Sequence, residues 1–189
     1  DLFARPRKAL LMSAMDRLGM AQALEQAGCI MTYGDFFFTL NLPIPLHSLH
    51  TIAALARIIA PVVCQLPFSL VYPTGKKQTE NKPRYSKYFL EADIIAGDFH
   101  FIRRYMPAEL PGKTIITNTV TREDINILQN SKAKTLVTTT PEMEGRSFGT
   151  NVIEALLVCM AGSNRELKEE EYNRLLDELN LVPRIVALN

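Results

Sequence analysis

Between Lys8 and Asp35 the chain reads as strand, tight turn, helix and strand, an order that commits it to a parallel sheet with a crossover helix. The run Lys8-Ala9-Leu10-Leu11-Met12-Ser13-Ala14 has the length and apolar continuity of a strand buried on both faces. Asp16 then suits a helix N-cap, and Leu18, Ala21, Leu24, Glu25 and Ala27 fall on one helical stripe. Gly28 supplies a left-handed stop, and Cys29 to Tyr33 is the returning strand, closed by Gly34-Asp35.

In a dinucleotide-binding unit, glycines open the first helix so that backbone can approach a pyrophosphate, and an acid about twenty residues further on holds a ribose hydroxyl. Here Ser13-Ala14-Met15-Asp16-Arg17-Leu18-Gly19 stands in the place of the glycine turn. Ser13 is nearly small enough for that approach and Met15 is not, while Gly19 is left for close helix and strand packing. Asp16 puts a negative charge where a helix N-terminus favours an anion, with Arg17 beside it as an offset. Two readings stay open: a modified nucleotide site built from Ser13, Ala14, Met15, Asp16, Arg17 and Gly19 with Asp35 on the ribose, or a strand-helix-strand unit that holds no dinucleotide.

The same alternation continues. Phe36 to Pro45 reads as an apolar connection and Leu46 to Cys64 as a long helix whose last turn meets Pro61. Phe68 to Tyr72 is a strand candidate, followed by a polar loop through Lys76 to Pro83. Helices are expected over Arg84 to Ala92, Phe99 to Tyr105 and Arg122 to Gln129, the last capped by Thr121 with Asp124 three residues on. Strands are expected over Asp93 to Gly97, Lys113 to Thr117 and Lys134 to Thr138. A helix starting at Ser147 or Thr150 runs through Cys159, a charged one spans Leu167 to Leu179, and Arg184 to Ala187 is a terminal extended piece. The expected fold is α/β, a doubly wound, mostly parallel, Rossmann-like three-layer sheet with strands near residues 9, 30, 69, 94, 115 and 135. One domain is expected over residues 1–189, with the helix and tail 163–189 packed on it and an upstream N-terminal segment lying outside this sequence, since the first strand comes so soon after Asp1.

Composition narrows the function. The 189 residues are 47% hydrophobic with a formal net charge of +1, and the basic residues are scattered, so a nucleic-acid partner is not expected. The apolar stretch from Leu46 to Leu66 is broken by His47, His50, Arg57 and Pro61, which argues against a membrane span. Cys29, Cys64 and Cys159 are widely spaced and odd in number, as in a cytoplasmic protein with buried reduced thiols and no metal site. A small-molecule ligand is the expected partner, and the amphipathic C-terminal helix permits a homodimer.

In doubly wound sheets ligands bind beyond the carboxyl ends of the strands, where strand order reverses. That rule selects Ser13 to Gly19, Asp35, Gly97-Asp98, Asn118-Thr119 and the stretch Thr139 to Arg146. Asp98 and His100 suit an acid-base pair, with the competing reading that Asp98 merely caps its helix. Arg103, Thr140 and Arg146 are candidates to hold an anion or a substrate carboxylate, and Lys76 another from its loop; Thr139 joins Asn118 and Thr119 as a cofactor contact. For the loop Thr138 to Asn151 an internal hydrogen-bond network is the alternative to ligand contact.

The segments Leu11 to Met20, Ala92 to Pro107 and Thr139 to Asn151 are similar to a bacterial family labelled quinate 5-dehydrogenase, and the similarity spans essentially the whole chain. What this resemblance implies is a Rossmann-type oxidoreductase using NAD or NADP on a small cyclic hydroxy acid related to quinate or shikimate. The chain departs from the shikimate dehydrogenase pattern at its fingerprint glycines, and the catalytic lysine and aspartate of those enzymes match no position here. An oxidoreductase is thus the first expectation, with Asp35 favouring NAD over NADP. A non-catalytic metabolite- or nucleotide-binding protein with a degenerate phosphate turn is the second, and a transferase on the same sheet the third.

Overall fold

A computed structural model describes residues 6–39, 41–63, 65 and 81–189. Its centre is a six-stranded sheet of β1 (Lys8–Leu11), β2 (Ile30–Tyr33), β3 (Ile94–Ala96), β4 (Thr114–Thr117), β5 (Thr135–Thr138) and β8 (Arg184–Ala187), in spatial order β2-β1-β3-β4-β5-β8. All neighbours are parallel except β5 and β8, which run antiparallel. A separate two-stranded hairpin joins β6 (Glu142–Met143) to β7 (Arg146–Ser147). The helices are α1 (Leu18–Gln26), α2 (Leu49–Val63), α3 (Ser86–Glu91), α4 (Phe99–Tyr105), α5 (Arg122–Asn130), α6 (Thr150–Met160) and α7 (Glu169–Glu178).

The apolar strand runs explain the layering. Because side chains alternate across a strand, Leu10, Ile95, Ile115 and Leu136 face one apolar cluster with Phe99, Ile102 and Leu128. Ala9, Leu11, Ile94 and Ala96 face a second with Ala21 and Leu24 of α1 and Ile52 of α2. Helices flank the sheet on both faces, the three-layer Rossmann-like architecture that alternation implied. The α5 start is the capping box expected, with Thr121 and Asp124 exchanging hydrogen bonds.

Several local expectations fail for identifiable reasons. Asp16 does not cap α1: the cap position is Arg17, with no side-chain hydrogen bond, because the turn is closed one residue later by Arg17 N–H on the Ala14 carbonyl at 3.2 Å. Leu18 is 54% exposed, so the buried stripe of α1 reduces to Ala21 and Leu24. Gly19 is not a packing glycine, since a Cβ there would meet nothing within 4 Å. That duty falls on Gly34 and Gly97, where a Cβ would come within 2.9 Å of the Met12 carbonyl oxygen and Met12 Cβ respectively.

The stretch after Asp35 is more than a connection. Asp35–Thr39 forms a π-helical turn that buries Phe37 and Phe38. Phe37 stacks on Tyr88 at 4.4 Å and Phe38 lies 4.9 Å from Tyr105, so consecutive aromatics pull the chain back onto α3 and α4. Arg184 to Ala187 is a full member of the sheet, which α7 precedes. Ser147 belongs to β7 and does not open α6, whose cap is Gly149. Cys29 is half-buried and Cys159 exposed, against the expectation of buried thiols. Cys64, the strand candidate Phe68 to Tyr72 and Lys76 lie outside the described residues.

Candidate functional site

The order of the strands reverses at β1, whose chain neighbour β2 lies on one side and β3 on the other. Residues just past β1 and β3 therefore form the crevice where such sheets place ligands. Asp35 is the most tightly held group there. It is 3% exposed, and its two carboxylate oxygens accept from the backbone N–H of Ala14 at 2.9 and 3.0 Å. Oδ1 also accepts from Met15 N–H at 2.9 Å. The Ser13 hydroxyl lies 3.3 Å from Asp35 and 3.2 Å from Asp16, and its single proton serves one of them at a time.

These donors belong to the turn before α1, the place where a phosphate would be cradled. An internal carboxylate occupies them. Asp35 consequently faces inward to the turn, and the ribose contact expected of it is not the contact it makes. Burial pushes its carboxyl above the ordinary range, while the Ala14 and Met15 amides pull the other way. The side chain is positioned by Gly34, which accommodates the Phe38 ring folding back over it, and by the π-helical turn that begins at Asp35.

Across the crevice stands a second acid. Asp98 caps α4 through Oδ1, which accepts from the His100 backbone N–H at 2.9 Å, and its Oδ2 accepts from Arg17 Nη2 at 3.1 Å. The expected acid-base pair is not made: Asp98 touches the His100 amide and not the imidazole. Capping, the competing reading, is what this carboxylate does, together with the ion pair to Arg17. The Arg17 and Asp98 side chains are 16% and 17% exposed.

Arg17 is the hub of the crevice. With the Asn118 amide turned to satisfy both groups, its oxygen accepts from Arg17 Nη1 at 2.9 Å and Nη2 at 3.2 Å. Arg17 Nη1 also lies 3.4 Å from Thr150 Oγ1 at the start of α6. The guanidinium thus joins residues following β1, β3 and β4 to the first turn of α6. Asn118 is fully buried, and its neighbour Thr119 takes a left-handed φ of 55°. Asn118, a cofactor candidate by its place beyond β4, is the neutral partner of Arg17; this role, and that of Thr150, carries no sequence signal of its own.

The other candidates scatter. Arg103 is not at the crevice: Nη1 donates to Asp124 at 2.8 Å and Nη2 to Glu123 at 3.4 Å, locking α4 to α5. It lines instead a surface cavity of 330 Å³ beyond the ends of those helices, with Asn81, Met106, Ile127, Asn130 and Ser131. Thr140 is buried and donates to the Phe148 carbonyl at 2.6 Å, which is the internal network reading of that loop. Thr139 is exposed, its N–H held by the Thr117 carbonyl at 2.9 Å. Arg146 is exposed on the hairpin with its guanidinium 5.1 Å from the Phe148 ring centre. Glu144 and Gly145, with φ of 53° and 86°, make the tight turn that the polar sequence Glu142 to Ser147 concealed.

Among the described residues no helix is long and apolar enough to cross a membrane. Among them also, no group of three or more His, Cys, Asp or Glu is placed to hold a metal ion. No curated protein and no solved structure matches the chain. One family model does, over residues 1–188, and the chain belongs to that family, described as a domain of unknown function, DUF8754.

Proposed function

We propose that this chain is a non-catalytic binding protein that keeps the Rossmann-type crevice, has closed its phosphate turn from within, and holds a small anionic metabolite at Arg17. The observation that carries the reading is the Asp35 carboxylate on the Ala14 and Met15 amides. A pyrophosphate would need those same donors, and would approach a buried group of its own sign. Met15, 45% exposed on the turn, adds bulk where backbone contact is wanted. In this arrangement the residues do not fit NAD or NADP.

Arg17 supplies the alternative anchor. Its guanidinium is oriented by the neutral Asn118 and balanced by Asp98, so an incoming carboxylate can replace Asp98 on the fork while Asn118 keeps it in place. Asp98 and His100 offer no oriented proton relay for hydride chemistry, which favours binding over turnover.

A thermal-shift titration with NAD, NADP, ATP, S-adenosylmethionine, quinate, shikimate and malate tests this. A ligand at a hundred times its Kd adds about 2.7 kcal/mol. The expected result is stabilisation by a carboxylate in the wild type, lost in Arg17→Gln, with none from either nicotinamide nucleotide. Stabilisation by NAD or NADP, with a change in nicotinamide absorbance on adding quinate or shikimate, overturns the reading in favour of a dehydrogenase.

A further inference from the structure

The coverage of the sheet is uneven, and the unevenness follows one row of residues. Tyr33, Leu11, Ala96, Ile116, Val137 and Ile185 are successive neighbours across the strands on one face. Tyr33, Leu11 and Ala96 are 0% exposed, Ile116 and Val137 are half-buried, and Ile185 is 74% exposed. On the opposite face the matching row of Leu10, Ile95, Ile115 and Leu136 stays at 0%, and Val186 of β8 packs against it. One face thus loses its cover toward β8 while the other keeps it. Val182, just before the strand, is another exposed aliphatic at 61%.

β8 is also the end of the sheet in strand order, with β5 its one partner among the described residues. Leu188 N–H donates inward to Lys134. By the alternation of an antiparallel ladder, Val186 and Arg184 also bond inward, and Ile185 and Ala187 turn N–H and C=O outward. Edge strands are ordinarily protected by charge, proline or a bulge. Ile185-Val186-Ala187 carries none of these; Pro183 and Arg184 come before it.

We propose that β8 pairs with β8 of a second copy of this chain, antiparallel and two-fold about Val186, to make one continuous sheet. An antiparallel strand pair is self-complementary under a two-fold axis, so each contact is made twice. In this register Ile185 lies opposite the second copy's Ala187, and the two residues exchange both backbone hydrogen bonds on each side of the axis. The two Ile185 side chains become diagonal neighbours on the uncovered face, where aliphatic side chains reach one another. Charge permits the pairing: Arg184 is held by Glu142 of its own chain and faces Leu188 of the copy, so no like charges meet. Pro183 lies outside the paired segment. Among two-fold registers, centring on Ile185 instead would set Pro183 against Ala187 in a hydrogen-bonding position that proline cannot fill.

Sedimentation velocity over a range of protein concentrations tests the proposal on the whole chain. The wild type is expected at twice the chain mass. Ile185→Lys places a charge beside its own copy, and Ile185→Pro removes an outward N–H without touching the ladder to β5; both are expected to halve the mass while the circular-dichroism melt stays that of a folded chain. In hydrogen exchange, the Ile185 and Ala187 amides should be protected in the wild type and exchange freely at Ala187 in Ile185→Lys. A wild-type monomer at every concentration overturns the proposal, leaving the edge to some other occupant. So does a dimer that persists in both variants, or one in which those two amides exchange freely.

Discussion

Two Gly-Asp dipeptides flank β1, Gly34-Asp35 past β2 and Gly97-Asp98 past β3, and they end in opposite circumstances. Both glycines press against Met12, where a Cβ at either would come within 2.9 Å. Beyond that shared corner the acids diverge. Asp35 is received by backbone amides and sealed at 3% exposure. Asp98 is received by one amide and one guanidinium, with its side chain 17% exposed. A carboxylate held by main-chain donors is part of the architecture, whereas one held by a long side chain can exchange partners. The same dipeptide yields a structural plug on one side and an exchangeable counter-ion on the other.

The largest loss is expected at Asp35. Asp35→Ala leaves the Ala14 and Met15 amides facing a buried void, and is expected to lower unfolding stability by about 3 kcal/mol, read from urea midpoints at unchanged slope. An effect below about 1 kcal/mol would mean that water satisfies those amides and the plug is not structural. Gly97→Ala comes next, at about 2 kcal/mol, because φ of 139° and the 2.9 Å approach to Met12 Cβ both oppose a side chain. Gly19→Ala is its control: with open space in α1, alanine should stabilise by about 1 kcal/mol. Asp98→Ala removes a cap and a partly exposed ion pair, for about 1 kcal/mol in the same urea series. That value sits well below the effect at Asp35.

The smallest effect concerns pH. Burial raises the Asp35 carboxyl above its ordinary value, so the folded chain holds that proton where the unfolded chain has released it. The stability this contributes is fully present below the unfolded value and is lost as pH rises through the folded one. Relative to Asp35→Asn, which mimics the protonated acid, the wild type should therefore lose stability with rising pH across that interval in parallel urea titrations. A rising difference would mean that the amides, and not burial, dominate the carboxyl.

What could be read from the sequence was local. The strands near residues 9, 30, 94, 115 and 135 announce themselves as short apolar runs, and α5 by the Thr121 and Asp124 pattern. The position of the crevice followed from alternation alone. What the acids and arginines do there did not, because the partners are remote: Asp35 meets the turn 21 residues earlier, Arg17 meets Asp98 81 residues later and Thr150 133 residues later. Gly19 looked like the packing glycine by its place in a motif. Gly34 and Gly97 do the packing because of what stands in front of them, which no spacing reveals. β8 escaped as a sheet member since Arg-Ile-Val-Ala is four residues of weak pattern after a charged helix.

The donors that hold Asp35 are main-chain N–H groups, which every residue except proline carries. Position 15 can therefore drift through many side chains without releasing the carboxylate, whereas Ala14 is tied to the core at 0% exposure, and the one side chain that closes the turn is that of Asp35. A lineage that exchanged this one acid for a small neutral residue would free the amides of the turn in one step, and the bulk of Met15 would then be the obstacle left between them and a phosphate.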